Sequence, residues 1–195
     1  MAASDGKTRC WGDRSLLGRA YHDMEWGVPV HDDRVLFEFI LLEGVQAGLS
    51  WSTVLKRREN YRTAFEGFDP AKIAEYTPER VDELVLDASI IRNKRKIESH
   101  IKNARAFLKV QDEQGSFDEF LWAYVDHKPI MNEFRAFEEM PAETELSKQI
   151  SKDLKKLGFS FVGPTIMYAY MQSVGMVNDH LIHCFRWQEI KDQYG

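Results

Sequence analysis

Apolar residues recur along most of this chain at intervals of three and four, the spacing that gathers them on one face of an α-helix. Val35, Phe39, Leu42 and Val45 keep that period and predict a helix from about Arg34 to Ala47. Ser50 has the form of an N-cap, with a hydroxyl suited to an unpaired amide at a helix start. It opens a second helix through Val54, Leu55, Tyr61 and Phe65. Asp69-Pro70 and Thr77-Pro78 pair a cap with a first-position proline, tolerated where the amide has no partner anyway. They start two short helices, the second carrying Val81, Leu84 and Val85. A long helix is predicted from about Asn93 to Val110, with Ile97, Ile101, Ala104 and Leu108 on one face. Gly115 ends that region and Ser116 restarts a short helix with Phe117, Phe120, Leu121 and Tyr124. From about Asp126 to Ala142 the period fails, which predicts an irregular connection. A helix from about Glu145 to Leu157 follows, then Gly158-Phe-Ser-Phe-Val-Gly163, then a helix from Pro164 to about Val174. Gly175 stops it in the usual position just past a helix end. A last helix is predicted to begin near Asn178 or Asp179 and to run past Cys184. With no strand alternation and no internal repeat, the pattern predicts an all-α fold of nine or ten helices.

Composition narrows the picture. The chain has 195 residues, 44% of them hydrophobic, with 12 Phe, 7 Tyr and 5 Trp, enough for a real core and too aromatic for a disordered chain. No apolar run approaches the ~20 residues needed to span a bilayer, and Met1 to Cys10 shows neither a basic cluster nor an apolar stretch. The chain therefore reads as a soluble cytoplasmic protein with no membrane partner. A net charge of −5 argues against coating nucleic acid through bulk positive charge. Any grip on DNA must be local. Only two cysteines occur, Cys10 and Cys184, and a disulfide between them is disfavoured in a reducing compartment.

Three groups of residues carry candidate chemistry. In the first, two helices flank the turn between Gly158 and Gly163, whose glycines allow tight turning and close backbone approach. Amides at the start of the second helix would hold a phosphate by fixed dipoles rather than by net charge. Lys152, Lys155 and Lys156 lie just upstream. The alternative is an ordinary αα-hairpin with a packed turn.

In the second, His180 and Cys184 stand four apart on the predicted last helix and so share a face. Cys10 and His22, twelve apart near the other end, complete a Cys₂His₂ set suited to tetrahedral Zn²⁺ with no open position. Such a site is structural and would clamp the two chain ends together. His183 competes as a ligand but points to another face of the helix. The alternative is two buried thiols and two scattered histidines.

The third is the lone acid Glu43 in the apolar run Leu42-Glu43-Gly44-Val45, near the polar-aromatic cluster Tyr21 to Gly27 and Trp51. A buried acid costs several kcal/mol unless it is paired or hydrogen-bonded. Either Glu43 accepts hydrogen bonds from a ligand in a pocket walled by Tyr21 and Trp51, or it pairs inside the fold and the aromatics are core.

The same segments resemble one family. Arg9-Cys-Trp11, Ala20-Tyr-His-Asp-Met-Glu-Trp-Gly-Val-Pro29, Leu42-Glu-Gly-Val-Gln-Ala-Gly-Leu-Ser-Trp51, Gly158-Phe-Ser-Phe-Val-Gly163 and Val177-Asn-Asp-His180 are similar, in order, to the DNA-3-methyladenine glycosylase I family. Arg58-Glu-Asn-Tyr61 and Ile90-Ile-Arg92 fit the same family. The resemblance implies a helix-hairpin-helix glycosylase fold over residues 1–195. The hairpin would lie at about 145–175, with a zinc lobe formed by 9–27 and 177–187. It implies one structural zinc on Cys10, His22, His180 and Cys184. Glu43 would act on the damaged base, with Tyr21, Trp51 and Trp11 around it, and Gly158 and Gly163 would meet DNA phosphate. The family often has one residue between the cysteine and this tryptophan, and this chain has none. The implied activity is hydrolytic removal of 3-methyladenine from damaged double-stranded DNA by a monomer, leaving an abasic site.

Overall fold

A computed structural model describes residues 6–195, so the first five residues read above for a targeting signal lie outside it. Among the described residues there are eleven α-helices rather than nine or ten. They are α1 (Leu16–Met24), α2 (Asp33–Gln46), α3 (Trp51–Leu55), α4 (Arg58–Ala64), α5 (Pro70–Ala74), α6 (Pro78–Leu86), α7 (Lys94–Gln114), α8 (Phe117–Trp122), α9 (Glu145–Lys156), α10 (Pro164–Ser173) and α11 (Phe185–Tyr194). No helix of the described residues is long and apolar enough to cross a membrane.

Side-chain caps close several helices, among them the three read from sequence at Ser50, Asp69 and Thr77. The side chains of Ser50, Asp69, Thr77, Asn93 and Ser116 each accept a backbone amide from the first turn that follows. Thr144 and Ser147 form a reciprocal capping box at the start of α9.

Three expectations are corrected. The helix predicted to run from Ser50 to Phe65 is two helices, because Arg57 leaves the helical region (φ −107°, ψ 0°) between α3 and α4. The chain also contains a strand pair: β1 (Ile130–Met131) runs parallel to β2 (Val177–Asn178). That pairing corrects the third expectation, since residues 178–184 are not helical. The backbone at Val177–Asn178 is committed to β1, Asn178 Nδ2 donates to the Trp187 carbonyl at 3.1 Å, and α11 starts only at Phe185.

α2 is the centre of the molecule. Every residue from Leu36 to Val45 is buried, so the helix is covered on all sides and cannot show a single apolar stripe. α7, α8 and α10 pack against it, and α5 and α6 lie along α7. α9 and α10 pair as an antiparallel hairpin across residues 157–163. The two ends of the chain meet where Gly175, at φ +72°, lies against the backbone of Val28 and Pro29; a Cβ there would fall 2.3 Å from the Val28 carbonyl carbon. The amides of Gly27 and Val30 donate to the carbonyls of Gln172 and Val174, at 2.9 and 3.1 Å.

His100, on α7, sits in this core with both ring nitrogens unpartnered, edge-on to Phe65 at 4.9 Å. Burial, and then the charge of Lys96 one turn away, push its pKa from 6.5 down to about 3. The unfolded chain therefore takes up this proton first. Stability is complete above about pH 6.5 and is lost as pH falls toward 3, by up to about 1.4 kcal/mol per pH unit. His100→Leu removes two buried unpaired atoms and is expected to raise stability by about 1–3 kcal/mol. It should also flatten the acid limb when melting temperature is followed from about pH 7 to about pH 4. Parallel curves for the two proteins would show that His100 contributes nothing to acid sensitivity.

Candidate active site

The buried helix α2 carries two glutamates whose environments differ. Glu38 is surrounded by cations: Arg58 Nε bonds its Oε1, and Arg62 donates to both oxygens at 2.9 and 3.2 Å. Arg58 also reaches Glu25 at 2.5 Å, so the charges form a closed network. Glu43 has no cation. Its Oε1 accepts one hydrogen bond, from the Ser173 hydroxyl at 2.5 Å, and its Oε2 has no partner. Burial pushes the Glu43 pKa up to about 7, opposed only by the Ser173 hydrogen bond.

Buried Glu43 lines a cavity of about 260 Å³ together with Trp11, Tyr21, Trp26, Gln46, Trp51, Gln172 and Ser173. Two more buried polar atoms of this lining have no partner, the Tyr21 hydroxyl and Trp51 Nε1. Burial first, and the Glu43 charge second, hold the Tyr21 phenol well above its usual pKa, so it is a neutral donor. Buried polar groups are nearly always satisfied. Three unpartnered atoms around one aromatic cavity, one acceptor and two donors, leave hydrogen-bonding capacity that a ligand could use. The rings form its walls: Tyr21 lies 5.3 Å from Trp51, and Trp11 lies 6.0 Å from Tyr21 and 5.2 Å from Trp26. Trp11 thus faces the cavity despite following Cys10 directly.

The structure brings together Glu43, Tyr21, Trp51 and Trp11 as the sequence predicts. It adds Trp26, Gln46, Gln172 and Ser173, which no local pattern singled out. Ser173 is 130 positions from Glu43 in the chain, and only the packing of α10 on α2 unites them. Asp179 does not cap a helix. Its carboxylate accepts from Tyr168 Oη at 2.6 Å, Gln172 Nε2 at 2.7 Å and Asn132 Nδ2 at 2.7 Å, which fixes the amide of a cavity residue.

Behind the aromatic wall, Cys10, His22, His180 and Cys184 converge, with all four ligand atoms within 4.8 Å of one another. The four sulfur–nitrogen separations are 3.4, 3.6, 3.4 and 3.5 Å. A tetrahedron with metal–sulfur bonds near 2.3 Å and metal–nitrogen bonds near 2.0–2.1 Å has such edges of about 3.5 Å. The outer nitrogens are also committed. His22 Nδ1 bonds Asp23 at 2.7 Å, itself gripped by Arg9, and His180 Nε2 bonds the Trp26 carbonyl at 2.9 Å. That leaves His22 Nε2 and His180 Nδ1 facing the thiols, the outer-shell arrangement of a histidine metal ligand. Both cysteines are free, His183 is exposed outside the cluster, and the four residues can hold a metal ion. His180 and Cys184 meet through a loop rather than along one helix face.

The hairpin turn is held from α7. Asn103 accepts the Ser160 amide at 2.8 Å and donates to the Ser160 carbonyl at 3.1 Å. Gly158 takes φ +100°, and Phe161 takes φ +57° against Gly44, the neighbour of Glu43. Gly163 caps α10 without a side chain, so the first-turn amides of that helix have no side-chain acceptor. Lys152 and Lys155 are exposed on α9, while Lys156 is paired with Asp153 at 2.8 Å.

Comparisons with known proteins identify the family. The model of the methyladenine glycosylase family matches residues 11–187. DNA-3-methyladenine glycosylase 1 of Escherichia coli (strain K12) is 51% identical over 177 residues, covering 90% of this chain and 95% of that protein. A crystal structure of 3-methyladenine DNA glycosylase I superposes with a TM-score of 0.89 at 49% identity, over 91% of this chain and 98% of the other. A tyrosine-to-phenylalanine variant of 3-methyladenine DNA glycosylase I, solved in complex with 3-methyladenine, gives a TM-score of 0.87 at 35% identity, over 88% and 92%. With the match spanning nearly the whole chain, and the carboxylate, aromatic wall and Cys–His cluster in place, this protein belongs to the methyladenine glycosylase family.

Proposed function

We infer that this protein is a DNA-3-methyladenine glycosylase that removes 3-methyladenine from alkylated DNA in base-excision repair. The observation that carries the reading is the free Oε2 of Glu43, buried in an aromatic cavity beside two unpaired donors. A base stacked in duplex DNA is out of reach, so it must be flipped out at a cost of a few kcal/mol. Methylation at N3 makes adenine cationic, which weakens its bond to the sugar and draws it to electron-rich rings by about 1–2 kcal/mol. Tyr21, Trp51 and Trp11 supply those rings. Glu43 accepts hydrogen bonds from the polar edge of the base, and its charge complements the cation. The leaving group departs almost neutral, so no strong general acid is needed. Incubating the protein with methylated DNA and identifying the released bases by chromatography tests the reading; absence of free 3-methyladenine would refute it.

The assembly we propose is one glycosylase domain acting as a monomer on damaged double-stranded DNA, with the hairpin amides around Gly158 and Gly163 meeting phosphate. The Cys10, His22, His180 and Cys184 set is assigned to structural Zn²⁺. The thiolate and imidazole donors, the edge lengths and the occupied outer nitrogens all suit that ion. Zinc there would supply a crosslink between the chain ends and no reaction chemistry. Purified protein is expected to hold about one zinc per chain. Cys10→Ala and His180→Ala should lower zinc content and melting temperature together, read by elemental analysis and thermal melts. Metal-free protein with unchanged melting would remove the assignment.

Glu43→Gln keeps the size of the side chain but replaces an acceptor-only carboxylate by an acceptor and a donor. Hydrogen bonds to charged groups carry about 1.5–3 kcal/mol, so free-base affinity and excision should fall about 10- to 100-fold, with stability nearly unchanged. In the native protein the carboxyl ionises near pH 7, so affinity should rise with pH through about 7, a step absent from the variant. A variant that binds base normally but melts far lower would make Glu43 a structural residue.

The reaction is hydrolysis without strand cutting. Relatives that cut the strand use a lysine amine two positions after the second hairpin glycine; here Thr165 stands there, and no lysine lines the cavity. Borohydride should therefore trap no covalent adduct, and electrophoresis should show abasic sites in an intact strand until alkali is added. A trapped lysine adduct would overturn this step.

A further inference from the structure

Many surface cations of this acidic chain are tied up in ion pairs. Arg34 pairs with Asp69, Arg80 with Glu83, Lys94 with Asp82 and Lys148 with Glu145. Arg95 and Lys102 are among those that are not, and they line one groove together. Both are exposed, and neither has an ion pair or side-chain hydrogen bond among the described residues. They stand seven positions apart on α7 and so share a face. Between them and the hairpin turn lies a groove of about 180 Å³, lined by Arg95, Glu98, Ser99, Lys102, Ser160 and Phe161. Its floor is rigid, because Asn103 clamps Ser160 through both its amide and its carbonyl. Its far wall, Phe161, lies over Gly44 on the helix that carries Glu43. Glu98, the acid in the groove, is within pairing distance of neither cation, so the groove keeps a net charge of +1 when Glu98 is ionised (two cations, one acid).

We propose that this groove is a phosphate subsite for the DNA strand, with Arg95 and Lys102 engaging backbone oxygens beside the hairpin amides. The proposal rests on the glycosylase reading and extends it, since it adds side-chain charge to a grip otherwise made of amides. A guanidinium can hold a phosphate through two parallel hydrogen bonds, and an ammonium adds a mobile point charge. Such contacts position the duplex and carry no base preference.

The test is salt-dependent binding to a duplex bearing an abasic-site analogue, measured from about 50 to 200 mM KCl. Each phosphate contact contributes about 0.9 to the slope of log Kd against log salt. Arg95→Ala and Lys102→Ala should each lower the slope by about that amount, and the double variant by about 1.8, equally for different flanking sequences. Lys128→Ala, which removes one exposed charge outside the groove, should leave the slope unchanged. Melting temperatures check the fold, and Arg95→Gln and Lys102→Gln replace any alanine variant that melts low. A double variant that melts like the native protein and keeps its full slope would overturn the subsite. Failure of the native protein to release 3-methyladenine from methylated DNA would be a separate result, removing the glycosylase reading and the subsite with it.

Discussion

The aromatic cavity depends on the way the two ends of the chain are joined. Each N-terminal member of the Cys–His cluster is a sequence neighbour of a cavity residue: Cys10 precedes Trp11, and His22 follows Tyr21 on α1. The C-terminal side reaches the same wall through His180, whose outer nitrogen bonds the carbonyl of Trp26, another cavity ring. A displacement at the cluster is therefore a displacement of three rings. The junction is reinforced by the Gly27–Gln172 and Val30–Val174 backbone bonds and by the contact of Gly175 with Val28, which leaves no room for a Cβ. Stacking and orbital alignment tolerate errors well below an ångström. A short α1 ending in solvent-facing Met24 could not hold that tolerance alone.

The second constraint lies in the charges placed inside α2. Removing a carboxylate from water is costly unless partners replace the water. Glu38 has its replacement in Arg58 and Arg62, and it ties α2 to α4. Glu43, five residues on, has half of one in Ser173. Lys96 shows the same economy at the end of the helix: its buried ammonium donates to the carbonyls of Val45 and Ala47, at 2.6 and 2.7 Å, where α2 ends. Two of these three buried charges are satisfied by the fold. The third, Glu43, is only half satisfied, and the proposed recognition role rests on that contrast within one helix.

Local chemistry was legible in the sequence wherever it is settled by near neighbours. Caps at Ser50, Asp69 and Thr77 need only the next three residues, and each was readable. The Cys₂His₂ set was readable because so few thiols are present, although the helix invoked to align His180 with Cys184 does not form. The backbone of Val177 and Asn178 is instead paired with β1. Illegible were features made by distant packing: Ser173 against Glu43, the Asp179 clamp on Gln172, and the unpartnered ring of His100. No window of sequence contains both halves of such contacts. Resemblance to the family supplied the roles that spacing alone left open between cavity and core.

An acidic protein that handles DNA must concentrate its attraction, and the proposed place for it is the hairpin. Elsewhere, surface ion pairs of the kind seen at Arg80–Glu83 and Lys148–Glu145 contribute little stability but cancel long-range field. At the hairpin the uncapped amides of α10 and the exposed Lys152 and Lys155 remain uncancelled. Weak attraction outside this region favours rapid release from intact DNA, because non-specific affinity grows with every phosphate neutralised. On the proposed reading specificity then falls to the cavity, where a cationic base would gain both a carboxylate and electron-rich rings, and a neutral base only the stacking. The same positive charge weakens the bond to be broken. Recognition and bond weakening thus draw on one property of the lesion, which is why a cavity with a single acid and no lysine is sufficient equipment for the reaction.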